Sequence, residues 1–74
     1  MEFYERIRAA REDSDKKQLE IASFLGVSQS YYSKMERGEK PFRIFQIKAL
    51  CEYLHVSSDY ILGLPKGLDW PRES

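Results

Sequence analysis

The chain has 74 residues, 12 of them Lys or Arg and 12 Asp or Glu, so its formal net charge is zero. This length excludes a second domain, and one cysteine with one histidine excludes both an intrachain disulfide and a four-ligand zinc site. The 42% apolar content is too high for a disordered chain, yet no run of 18 apolar residues exists to span a membrane.

A domain this small buries only about 60% of its unfolded surface, which calls for an economical helical core. The Met-Glu-Phe-Tyr-Glu-Arg start lacks the layout of a signal peptide, and a free Cys51 suits a reducing compartment, so the expected location is the cytoplasm. Residues 2–12 carry Phe3, Ile7, Ala10 and Arg11 at one-face helical spacing. Asp13-Ser14-Asp15 then favours turns and caps, which ends the helix. Asp15 with Gln18 three residues on reads as a capping-box variant that opens a second helix. That helix runs from about Lys17 to Leu25, with Ile21, Ala22 and Leu25 inward. Gly26 ends it by taking a positive φ.

Ser28 is an N-cap for a third helix over Gln29 to Arg37, with Tyr32 and Met35 inward and Gly38 at its C-terminal end. Two short helices joined by a tight glycine turn make a helix-turn-helix candidate. Glu39-Lys40-Pro41 is a loop. A fourth helix spans about Arg43 to Leu54, with Ile47, Leu50, Cys51 and Leu54 inward. His55 stands where a positive-φ residue is needed, and histidine tolerates that. Ser57 caps a short fifth helix reaching about Leu62, which Gly63 and Pro65 break. The expectation is an all-α, five-helix domain over residues 1–63, followed by a tail, 64–74, that serves as dimer contact or linker.

The string QLEIASFLGVSQSYYSKMER, from Gln18 to Arg37, resembles the helix-turn-helix of the lambda-repressor-like family, which includes Cro and the XRE-type regulators. Gln18, Ala22, Gly26, Val27-Ser28-Gln29-Ser30 and Ser33 to Gly38 carry the likeness, with Arg11 upstream and Leu50 to Ser57 downstream. The resemblance implies a transcriptional regulator, most often a repressor, that binds double-stranded DNA as a homodimer on palindromic half-sites and needs no cofactor. It implies base contacts from Gln29, Ser30, Ser33 and Lys34, with Tyr31 reaching a thymine methyl or a phosphate. It implies phosphate contacts from Gln18, Ser28, Lys17, Arg37, Lys40 and Arg43, of which Lys17, Lys40 and Arg43 fit plain surface equally well. It also implies a buried ion pair between Arg11 and Glu36.

The chain departs from the family pattern in two places. Asp15, Lys16 and Lys17 replace the usual cap before the second helix, and Tyr32 replaces an aliphatic core residue, which calls for a larger pocket beside Phe24 or Phe42. A dimer surface is expected around Tyr60, Ile61, Leu64, Leu68 and Trp70. No nucleophile–base set is present, so an enzyme is not expected.

Zero net charge argues against a polyanionic partner, and it supports an alternative: a protein-interaction module, such as an antirepressor or an antitoxin-like partner. The charge is uneven, however. Residues 16–48 hold seven basic and three acidic side chains, whereas the segments on either side are net acidic.

Overall fold

Every helix among the described residues is closed at its C-terminal end in the same way. In the computed structural model, which describes residues 1–65, the elements are α1 (Phe3–Asp13), α2 (Gln18–Leu25), α3 (Gln29–Glu36), α4 (Ile44–Leu54) and α5 (Ser58–Leu62), with no strand among them. Each helix is followed by a left-handed residue: Asp15, Gly26, Gly38, His55 and Gly63 have φ between 55° and 79°. The next residue's N–H then reaches back over a full turn, as in Lys16 to the Arg11 carbonyl, Val27 to Ala22, Glu39 to Lys34, Val56 to Cys51 and Leu64 to Asp59, at 2.8–3.1 Å. This pattern satisfies carbonyls that the helix leaves without partners.

Asp15 thus terminates α1 rather than capping α2. The residue at the α2 N-cap is Lys17, whose backbone N–H donates to Glu20 Oε1 at 3.0 Å. Glu5 and Gln46 accept in the same way from Glu2 and Arg43, at the starts of α1 and α4. Only α3 and α5 begin with a side-chain cap, Ser28 Oγ accepting from Tyr31 N–H and Ser57 Oγ from Tyr60 N–H.

Ile7, Ala10, Ile21, Ala22, Tyr32, Met35, Phe42, Leu50, Leu54 and Ile61 form the core, drawing on all five helices and the α3–α4 loop. α1 packs against α3 and α5, α2 against α3, and α4 against α5. Ala22 is buried on α2, which packs against α3, so a larger side chain there would have to displace its neighbours in the core. The Tyr32 ring sits edge-on to Phe42 with centroids 6.2 Å apart. Phe24 takes no part in that pocket; it stacks on Tyr53 at 4.3 Å and is largely exposed. Ile61 is a core residue, which removes it from any surface for a partner, whereas Tyr60 and Leu64 are exposed. Leu68 and Trp70 lie outside the described residues.

Candidate nucleic-acid interface

The turn between α2 and α3 depends on Gly26. Nothing lies within 4 Å of where a Cβ would stand, so space is not the constraint; the constraint is its φ of +74°. The turn brings Ser28 to the start of α3, where its hydroxyl satisfies one of the free N–H groups of the first turn. At the other end of α3, Gly38 has both a positive φ and a close neighbour: a Cβ would fall 2.6 Å from the Tyr4 ring.

α3 is sided. Tyr32 and Met35 are fully buried and Glu36 nearly so, which anchors one face. Gln29, Ser30, Tyr31 and Lys34 are exposed on the remaining surface. Ser33 is half-buried, and its Oγ accepts from Arg37 Nη1 at 2.6 Å. Tyr31 sits under Lys40, whose Nζ lies 5.9 Å from the ring centroid. Beside it, Val27, Ser28, Tyr31, Pro41, Arg43 and Gln46 line an open, polar cleft. The structure therefore draws Ser28, Tyr31, Lys40 and Arg43 together at one end of α3. Lys17 is exposed at the start of α2.

Arg11 and Glu36 form a two-pronged pair across 25 residues of sequence: Nε donates to Oε2 at 2.6 Å and Nη2 to Oε1 at 3.1 Å. Arg11 Nη1 also donates to the Lys16 carbonyl at 2.8 Å. Gln18 Nε2 donates to Glu36 Oε1 at 3.0 Å, so the amide nitrogen of this candidate phosphate ligand turns inward. Burial alone would raise the Glu36 carboxyl; the hydrogen bonds from Arg11 and Gln18 and the Arg11 charge outweigh it and hold the carboxyl below its ordinary range. The hydrogen bond from Arg11 to Glu36 likewise raises the guanidinium, against the pull of its own burial. The Tyr32 hydroxyl lies close by, pushed up mainly by burial and then by the proximity of the Glu36 carboxylate, although the two do not meet in hydrogen-bond geometry.

The arrangement changes the electrostatics of the 16–48 segment. All three of its acidic side chains are engaged: Glu20 by the Lys17 N–H, Glu36 by Arg11, and Glu39 by Arg37 at 2.6 Å. Arg37 is thereby tied to Glu39 at the surface while it stays charged, and Lys34 and Arg43 are exposed.

Sequence reasoning missed Gln46, a buried polar side chain that fixes the start of α4 next to Arg43. The signal was available, since Gln stands three residues past Arg43 as in a capping box. It also missed Ile44 and Phe45, which are strongly exposed.

Comparison with known proteins adds one match. A family model described as helix-turn-helix covers residues 7–61, more than half of the chain. Searches among curated proteins and among solved structures each found no match. The matched residues take in the α2–turn–α3 unit and the helices that hold it, and with this the chain belongs to the lambda-repressor-like, or XRE-type, helix-turn-helix family of DNA-binding domains.

Proposed function

We propose that the domain is a sequence-specific transcriptional repressor that lays α3 in the major groove of an operator and acts as a homodimer on two half-sites about 34 Å apart. The observation that carries this reading is the sidedness of α3: a buried Tyr32–Met35–Glu36 face holds the helix, and Gln29, Ser30, Tyr31 and Lys34 are left outward at its exposed end. Gln29 matches adenine through a bidentate amide, Lys34 matches guanine, and Ser30 and Ser33 serve either base. Ser28, Lys17, Lys40 and Arg43 are assigned to phosphates, which supply most of the affinity and the register. Gln18 and Arg37 have weaker claims to that role, because each is held by an acidic neighbour. Selection of bound sequences from a random duplex pool tests the reading and reveals the half-site spacing. Lys34→Ala sharpens it: loss of discrimination at one base position supports a base contact, and equal weakening on operator and random DNA makes Lys34 a phosphate contact.

A protein-interaction module without DNA binding is the second reading, favoured by the zero net charge. It predicts no binding to random duplex at any salt concentration, whereas the first predicts binding that falls steeply as salt rises.

A further inference from the structure

The start of α1 and the α3–α4 loop meet at one close approach. A Cβ at Gly38 would fall 2.6 Å from Cζ of Tyr4, 2.8 Å from Cε1 and 2.9 Å from the hydroxyl, so the half-buried ring lies directly on bare glycine backbone. Phe3 extends the contact. Its ring is edge-on to Tyr4 at 5.5 Å and to Phe42 at 5.9 Å, and Phe42 is edge-on to the buried Tyr32 of α3. A series of edge-to-face rings thus runs from Gly38 to the anchored face of α3. The loop depends on such support. Glu39 N–H closes α3 on the Lys34 carbonyl at 2.8 Å, and Arg43 N–H opens α4 on Gln46 Oε1 at 2.8 Å. Between them, Lys40, Pro41 and Phe42 make no backbone–backbone hydrogen bond among the described residues. Side chains therefore set the path of this segment: Phe42 is sunk in the core at one end, and Tyr4 sits on Gly38 at the other. Lys40 lies between these two holds. It shares a recess with Tyr4, Gly38 and Pro41 and places its Nζ over the Tyr31 ring.

We infer that Tyr4 is a positioning residue for DNA binding: seated on Gly38, it holds the α3–α4 loop on the course that brings the Lys40 ammonium to a DNA phosphate. It acts through Gly38 and the loop and touches no nucleotide itself. The inference rests on the phosphate role proposed above for Lys40. Without the ring the segment samples several courses, and holding Lys40 at one phosphate then costs conformational entropy that the native loop has already given up. The α3 helix keeps its own anchors in Tyr32, Met35 and Glu36, so base reading is left in place.

The test compares Tyr4→Ala and Tyr4→Phe in the full chain, below the melting transition of each. Without DNA, amide exchange at Gly38 and Glu39 should quicken about tenfold in Tyr4→Ala, by more than at the core amide of Leu50, while Tyr4→Phe behaves as the native chain. On random duplex, Tyr4→Ala should bind more weakly, with a log–log salt slope shallower by about 0.9, the share of one phosphate contact. Adding Lys40→Ala to Tyr4→Ala should change that slope no further. Base preferences in a selected duplex pool should stay the same. A merely structural role would lower the melting temperature and leave the salt slope alone. Unchanged exchange at Gly38 and Glu39, an equal acceleration at Leu50, or an unaltered slope overturns the inference. So does a Tyr4→Phe variant as weak as Tyr4→Ala, since the hydroxyl would then be a direct phosphate ligand. If the native chain binds no duplex at low salt, the phosphate reading fails and takes the inference with it, and the exchange result alone tells whether Tyr4 still orders the loop.

Discussion

Glu36 carries a charge at 4% exposure, and only its partners make that tolerable. Arg11 supplies two hydrogen bonds and Gln18 a third. Removing one member strands the other charge, so Arg11→Ala should cost about 3–5 kcal/mol, enough in a domain of this size to lower Tm by more than about 12 °C. An unchanged calorimetric melt would refute the pair's role. Replacing both by apolar groups, Arg11→Met with Glu36→Leu, should recover most of the loss, since burying two charges gains little over burying hydrocarbon. Because the Glu36 carboxyl is lowered in the folded state, its contribution is present above its ordinary value of 4.5 and is lost as pH falls through the folded value. The stability gap between the native chain and Glu36→Gln should therefore narrow on acidification below pH 4.5, as followed by urea unfolding. The neighbouring Tyr32 hydroxyl is buried without a partner, so Tyr32→Phe should be neutral or stabilising by up to about 1 kcal/mol. A clear loss of stability would reveal a hydrogen bond to Glu36.

At the level of elements, the five helix ends share one device with unequal residues. Glycine takes the left-handed position after α2, α3 and α5, and Asp15 and His55 take it after α1 and α4. Left-handed backbone strains a residue with a Cβ by about 1–2 kcal/mol, against about 0.4–1 kcal/mol of extra unfolded-chain entropy for glycine. Asp15→Gly and His55→Gly should each raise stability by about 0.5–1 kcal/mol in urea titration. Element boundaries were legible because their signals are local: the Gly26, Gly38 and Gly63 stops, the Ser28 and Ser57 caps, and the unusual His55 all stand where periodicity breaks. Asp15 misled because aspartate suits both an N-cap and a left-handed stop. Which it becomes depends on whether Lys16 N–H reaches the Arg11 carbonyl, as it does at 3.1 Å.

For the molecule as a whole, zero net charge and a DNA-binding fold are reconciled by placement. Glu36 is paired with Arg11 and Glu39 with Arg37, so Lys17, Lys34, Lys40 and Arg43, which are in no ion pair among the described residues, outweigh the exposed Glu20 in the field near α3. Three phosphate neutralisations, by Lys17, Lys40 and Arg43, correspond to a log–log salt slope of about −2.7 per domain on duplex DNA. Glu39→Gln removes a negative charge and releases Arg37, so it should strengthen binding to random duplex at low salt and steepen that slope by about one, measured by fluorescence anisotropy. An unaltered slope would show that Arg37 makes no phosphate contact even when free.

The order and type of all five helices, the glycine turn at Gly26 and the inward Tyr32 and Met35 follow from periodicity and capping, which act over three or four residues and so are written in the chain. The family likeness added the Arg11–Glu36 pair, which no local rule supplies. Tertiary packing decided the rest. It chose Phe42 over Phe24 as the neighbour of Tyr32, turned Gln18 toward Glu36, tied Ser33 to Arg37 and sank Ile61 into the core. It also left Ile44 outside, although its spacing from Ile47 and Leu54 matches a core face. Periodicity fixes which residues share a helix face; how much of that face is covered depends on where α5 comes to rest, and that is settled only when the helices meet.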